Sequence, residues 1–189
     1  MLETNDKDWA LVDQVRRGRD AAFDALMVRY KYPVLDFIYR MTGDAEESRD
    51  LAQVVFVRAY RAIMGGRVRR RRGAFSTWLF QIARNAALDA LRYQKRHPTV
   101  SRNAEQTFND PPGRERTAPE TLEARELGRH IAAAIADLPT DQRAAIVLSE
   151  YNGLDSQAIA DILKCSRKGV ENRLYRARQT LRRRLAAWR

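Results

Sequence analysis

Apolar residues recur every three or four positions along most of the chain, and no stretch alternates apolar with polar residues as a half-buried strand does, so helices are expected throughout. The first short helix is expected over Trp9 to Arg17, with Gly18 ending it. Asp20 stands where a cap belongs for a second helix, whose stripe is Phe23, Leu26, Met27, Tyr30, Val34, Phe37, Ile38 and Met41. Pro33 lies inside that stripe, at a position where a kink is permitted. After Gly43, Asp44 is placed to cap a helix over Ala45 to Ile63. Gly65, Gly66 and the basic run Arg67 to Gly73 read as a loop, and a fourth helix is expected from Ser76 to Arg96.

The periodicity then stops. Residues 97–121 hold four of the six prolines and few apolar side chains, the composition of a flexible linker. Beyond it the helical pattern resumes over Glu120 to Asp137, Thr140 to Tyr151, Asp155 to Leu163 and Ser166 to about Ala187, with Thr140, Asp155 and Ser166 in capping positions. The expected fold class is therefore all-α. Two small helical domains, residues 1–96 and 122–189, are joined by the linker, and the second carries a helix-turn-helix.

Charge changes the picture at the C-terminal end. The formal net charge is +11, and residues 164–189 hold ten Lys or Arg against one acid, Glu171, a local balance of +9. A helix that follows a short helix and a polar break at Lys164, Cys165 and Ser166, and that carries this charge, is laid out to enter the major groove of DNA. Val170, Leu174, Ala177 and Leu181 form its inner stripe. Arg167, Lys168, Glu171, Asn172, Arg173, Tyr175, Arg176 and Arg178 occupy its other faces as candidate DNA contacts. Asn172 has the donor and acceptor pair to match adenine, and Arg176 has the fork to match guanine. The same charges would also suit a solvated basic helix that reads no sequence.

The helix from Ser76 to Arg96 is a second candidate surface. Ser76, Thr77, Trp78, Arg84, Asn85, Asp89 and Arg92 combine aromatic, amide and cationic groups, the equipment for holding unstacked bases, although Phe75, Trp78 and Phe80 would serve equally as core aromatics. A third surface lies on the helix from Ala45 to Ile63. There Asp50, Gln53, Val54 and Val57 suit docking on another protein, with Leu51, Val55, Ala59 and Ala62 turned inward, although internal packing would explain the valines equally well.

Other chemistries find no footing. There is no Gly-rich phosphate loop after a strand, no nucleophile and base grouping, and no paired-carboxylate motif. One cysteine, Cys165, and two distant histidines, His97 and His130, make no metal cluster, so neither metal nor cofactor is expected. Cys165 reads as a small residue in a tight turn. No run approaches the roughly 20 apolar residues that span a bilayer. The first residues lack an apolar signal core, so membrane insertion and export are not expected and the chain reads as cytoplasmic.

Taken in order, four stretches resemble one family, the extracytoplasmic-function (ECF) class of bacterial sigma factors. Ala22 to Leu26 with Tyr30 resembles the opening of its first helix pair. Asp44 to Glu47, Asp50-Leu51, Gln53, Phe56 and Ala59 to Arg61 resemble its polymerase-docking helix. Phe75 to Leu79, Ile82 to Asn85 and Leu88-Asp89 resemble its promoter-melting helix. Leu138-Pro139, Arg143, Ile159-Ala160, Leu163, Val170, Arg173-Leu174 and Arg176 to Arg178 resemble its C-terminal domain.

The resemblance implies a transcription initiation factor rather than an enzyme. Its partners would be core RNA polymerase, promoter DNA and an anti-sigma factor, within a stress or envelope response. It further implies docking through Asp50, Gln53, Val54, Phe56 and Val57, capture of the minus-ten element from Ser76 onward, and reading of the minus-thirty-five element by Arg167 to Arg178. Three positions depart from the family pattern: Val54 replaces a usual Glu, Lys164 a usual Gly in the turn, and Gly169 a usual Thr. The loop from Arg67 to Arg72 is also more basic than is common, and is expected either to grip phosphates or to stand solvated. Two other readings of the charge remain: a dimeric helix-turn-helix regulator, and an adaptor binding RNA or an anionic membrane nonspecifically.

Overall fold

The computed structural model describes residues 2–68, 70, 73–97 and 122–186. Among these are eight helices and no strand: α1 (Leu2–Arg16), α2 (Ala21–Thr42), α3 (Ala45–Met64), α4 (Phe75–Arg96), α5 (Leu122–Ala136), α6 (Thr140–Glu150), α7 (Ser156–Leu163) and α8 (Arg167–Leu185). The stretch 98–121, most of the expected linker, lies outside the described residues, as do Arg69, Arg71 and Arg72.

Helices α1 to α4 bury Val12, Leu26, Phe37, Ile38, Met41, Val55, Ala59, Ile63, Phe75 and Leu79 among themselves. Full burial of a side chain such as Phe37 or Ile38 is worth about 1.5–3 kcal/mol. Phe37 meets Phe80 edge-on with ring centroids 5.6 Å apart, which ties α2 to α4. In the C-terminal half Ile135, Leu138, Val147, Leu148, Ile159, Ile162, Val170 and Ala177 make a second buried set. The two sets join into one apolar cluster, because α7 packs on α4 and α5 and α6 pack on α2.

Side-chain caps fix the starts of α3, α7 and α8. The Asp44 carboxylate accepts from the amides of Glu46 and Glu47, each at 2.9 Å. Asp155 accepts from Ala158 at 2.8 Å and Ser166 from Gly169 at 3.1 Å. Each such cap contributes about 1 kcal/mol. The turn between α7 and α8 closes on Lys164, which sits in the left-handed region at φ 52°, ψ 49°. That is the backbone state glycine adopts without strain.

Three local expectations are corrected. α1 begins at Leu2 rather than Trp9, since its first turns are polar and leave no apolar stripe to read. Asp20 makes no cap bond: its backbone is helical, and its carboxylate accepts from the Tyr60 hydroxyl at 2.9 Å. α6 is entered from Pro139, whose carbonyl takes the amides of Gln142 and Arg143, so Thr140 is the first helical residue and not the cap. α2 runs as one helix through Pro33.

Candidate nucleic-acid interface

Burial of Val170, Leu174 and Ala177 fixes how α8 is rotated about its axis, with Leu181 half-buried behind them. The opposite side exposes Arg167, Lys168, Glu171, Asn172, Tyr175 and Arg176, with Tyr175 63% accessible. Gln179 lies one turn beyond Tyr175, and its amide donates to the Tyr175 hydroxyl at 2.7 Å. Sequence reasoning passed over Gln179, although its i+4 spacing from Tyr175 puts it on the same face.

Two expected contacts stand differently. Arg173 is only half-exposed, pairing with Asp141 at 3.3 Å and donating to the Gly169 carbonyl at 3.2 Å. Arg178 pairs with Glu150 at 2.7 Å. Arg167 pairs more loosely with Glu171, at 3.7 Å along the helix.

On α4 the exposed stripe is Asn85, Asp89 and Arg92, the last two ion-paired at 3.2 Å. Thr77 is buried, so in this arrangement it presents nothing to a ligand. Phe75 and Phe80 are core side chains, while Trp78 is half-buried with its ring 5.5 Å from Phe75. Ser76 is half-buried beside Tyr30, whose hydroxyl is pushed well above its ordinary pKa, first by burial and then by its bond to Asp8.

The flank of α4 next to that stripe is covered by the C-terminal half. Gln81 donates to the Asp161 carbonyl at 3.1 Å, and Arg84, its side chain 13% exposed, pairs with Asp141 at 3.5 Å. Asp141 thus holds two arginines at once, Arg84 of α4 and Arg173 of α8. Farther along the same join Arg143 donates to the Met41 carbonyl at 2.6 Å, and the Arg40 guanidinium lies 3.5 Å over the Tyr151 ring.

Asp50, Gln53, Val54 and Val57 are exposed on α3, whereas Phe56 is buried edge-on against Phe23 at 6.5 Å. Gln53, Phe56 and Val57 nevertheless border an apolar groove of about 520 Å³ between α2 and α3, completed by Phe23, Met27 and Ala52 and edged by Arg49 and Arg61. The α2 half of this groove was not found from the sequence. Its residues belong to the expected inner stripe of α2, and only packing shows that they stop short of closing the surface.

The basic connection between α3 and α4 is not simply solvated. Val68 is buried and its carbonyl accepts from Arg16, while Arg67 and Arg70 are exposed and Arg70 pairs with Asp6. Among the described residues no group of His, Cys, Asp and Glu could hold a metal ion, and no helix is long and apolar enough to cross a membrane.

Two family models match the chain: residues 26–97 fit Sigma-70 region 2, and residues 129–181 fit Sigma-70, region 4. Over 183 residues, 94% of this chain and 93% of the relative, it is 35% identical to the RNA polymerase sigma-H factor of Pseudomonas aeruginosa. It is 36% identical over 179 residues, 92% of each chain, to the ECF RNA polymerase sigma-E factor of Escherichia coli strain K12. Among solved structures, CnrH in complex with the cytosolic domain of CnrY aligns over 96% of this chain and 98% of its own, with TM-score 0.72 and 26% identity. The sigma factor RpoE from Bartonella quintana, solved with the anti-sigma factor NepR, shares the fold at TM-score 0.68 and 23% identity, over 88% of this chain and 98% of its own.

Proposed function

The chain belongs to the ECF sigma factors, and from that premise we propose how its surfaces divide the work of directing core RNA polymerase to promoters and starting transcription there. Helix α8 reads the minus-thirty-five element through Lys168, Glu171, Asn172, Tyr175 and Arg176, with Arg167 and the last arginines on phosphates. Helix α4 captures the melted minus-ten strand through Asn85, Asp89 and Arg92, with Ser76 and Trp78 at its first turn. The polymerase docks along α3 at Asp50, Gln53, Val54 and Val57, and inserts apolar groups into the groove floored by Phe56.

The first domain is residues 1–96 and the second residues 122–189. Because residues 97–121 join them covalently, each contact with the promoter makes the other effectively intramolecular. The protein is a regulator working in the bacterial cytoplasm and not an enzyme in its own right. An anti-sigma factor holds it inactive, a reading supported by the complex of RpoE with the anti-sigma factor NepR.

The observation that carries this reading is the exposed side of α8. Groups able to read bases lie there in one row, on a helix whose other side is pinned by Val170, Leu174 and Ala177. Bringing Arg84 and Arg173 onto the DNA as well would require the two halves to part, since both are held by Asp141.

The test is reconstitution with core RNA polymerase and a library of promoter sequences. Transcripts starting downstream of a two-part motif, and only when the protein is added, are the expected result. DNA binding with no polymerase-dependent initiation would defeat it. A further arm concerns the basic connection: replacing Arg67, Arg69, Arg70, Arg71 and Arg72 by Gln should lower the salt slope of promoter binding by about 1 per lost phosphate contact.

A further inference from the structure

Helix α1 carries no role in the reading above, yet it makes the bonds that hold the approach to α4. The Gly66 and Arg67 amides close on Ile63 and Ala62 at the end of α3. Farther on, α1 side chains take over. The Arg16 guanidinium donates to the Val68 carbonyl, and the Trp9 indole N–H donates to the Gly73 carbonyl at 3.2 Å. Val68 itself is buried and Arg70 pairs with Asp6, so among the described residues the connection is held by one apolar anchor, two side-chain bonds to its carbonyls and one ion pair, all three polar contacts made by α1.

The same helix also backs the first turn of α4. Trp9 meets Phe75 edge-on with centroids 6.1 Å apart, and Phe75 lies 5.6 Å from Tyr30 and 5.5 Å from Trp78. Asp8, 1% exposed, pairs with Arg29 and accepts from the Tyr30 hydroxyl, and Ser76 lies beside that hydroxyl. A carboxylate buried this deeply is tolerated only where its partners are fixed. From Asp8 to Tyr30 the network therefore has little freedom, and the first turn of α4 packs on it through Phe75.

We infer that Trp9 and Arg16 are positioning residues for promoter opening: they hold the connection before α4 so that Ser76 and Trp78 meet the unpaired strand preorganised. The inference rests on the reading that α4 faces melted DNA. Unstacking and unpairing a base is costly, and a site that must also order itself recovers less of that cost. The effect therefore falls on opening, and not on finding the promoter or binding polymerase.

The experiment uses full-length protein with core RNA polymerase and two templates, a duplex promoter and the same promoter with its minus-ten region pre-melted by mismatches. Trp9→Phe keeps a ring against Phe75 but removes the N–H donor together with part of the buried indole; Arg16→Leu removes the other bond. The double variant should lower permanganate reactivity of minus-ten thymines on the duplex about tenfold, as expected for two lost hydrogen bonds. Transcription from the mismatched template should stay within about twofold, binding to core polymerase should stay near the parent value, and the thermal midpoint should fall by only a few degrees. Equal loss on both templates, or a large fall in the midpoint, would make the two residues merely structural and overturn the inference. Unchanged opening would overturn it as well. Asn85→Ala and Arg92→Ala run alongside. If they lower opening and the α1 variants do not, only this inference falls; if they leave opening intact, the reading of α4 falls and takes this inference with it.

Discussion

Helices α8 and α4 are both assigned to DNA, yet they are built in opposite ways. α8 is anchored by three buried side chains, Val170, Leu174 and Ala177, and turns nearly everything else outward. α4 buries seven, from Phe75 to Ala87, and leaves a narrow stripe at Asn85, Asp89 and Arg92. The partners they are proposed to meet explain the contrast. A duplex is a rigid polyanion met from outside, so a slender cationic helix on a small support is sufficient. Unpaired bases must be held away from their own stacking, which calls for a platform backed by packed aromatics. In the arrangement seen here α8 is ready as it stands, whereas α7 lies against the flank of α4.

The largest effect is expected where the two halves meet. Arg143 reaches the Met41 carbonyl at the end of α2 and the Ala136 and Leu138 carbonyls at the end of α5, so one guanidinium closes helix ends on both sides of the join. Burial presses its pKa below the ordinary arginine value, the cost of taking a cation out of water, and the charge of Asp137 works against that shift. Arg143→Ala should cost about 3 kcal/mol in denaturant unfolding, because charge-assisted bonds are lost and buried carbonyls are left open. A loss below about 1 kcal/mol would show that packing alone holds the join and would weaken the contrast between a ready α8 and a covered α4.

Next comes the reading face itself. Arg176→Ala should weaken binding to minus-thirty-five duplexes by about 1–3 kcal/mol, with the loss concentrated at one base pair. Gel-shift titration over single-base variants measures it. An equal loss on every sequence would make Arg176 a phosphate contact, leaving Asn172, Tyr175 and Gln179 to carry the code.

Much of this was legible in the sequence because it is local. Asp44, Asp155 and Ser166 announce helix starts through bonds two or three residues away. Val170, Leu174 and Ala177 announce a buried side through their spacing, which in turn assigns the outward residues of α8. What escaped depends on residues distant in the chain. Arg173 and Arg178 look like any other cation of α8 until their acids, 32 and 28 residues earlier, are seen beside them. Thr77 reads as a surface hydroxyl and is buried, and Val68 reads as part of a solvated basic loop and is an anchor. Neither has a periodic neighbour to reveal its side, since Thr77 opens a helix and Val68 lies between two.

The turn that aims α8 offers a smaller effect. Lys164 occupies a left-handed conformation that costs an ordinary L-residue about 1–2 kcal/mol, partly offset by the greater freedom glycine loses on folding. Lys164→Gly should therefore stabilise the protein by about 0.5–1 kcal/mol in thermal unfolding. Specificity for the minus-thirty-five element should not change, because the backbone path is already the one glycine takes. A change in base preference would mean that Lys164 itself touches DNA.

The smallest energy tests the contrast most directly. Asp141 stands in the first turn of α6, about half-exposed, with one oxygen toward Arg84 at 3.5 Å and the other toward Arg173 at 3.3 Å. Pairs this open contribute about 0.2–1 kcal/mol each. Asp141→Asn keeps the shape, releases both arginines and surrenders a little of the favourable charge at the helix start. If the halves must part for α4 to reach DNA, the substitution should raise affinity for a complete promoter a few-fold while lowering thermal stability slightly. Energy transfer between a label on Cys165, half-buried in the turn before α8, and one on a Lys95→Cys variant at the end of α4 should fall at the same time. Glu150→Gln makes the matched control, since it frees Arg178 within the C-terminal half alone. It should favour the isolated minus-thirty-five duplex and leave the energy transfer unchanged. If both substitutions act alike on both readouts, the pairing at Asp141 is ordinary surface charge, and α4 is as accessible as α8.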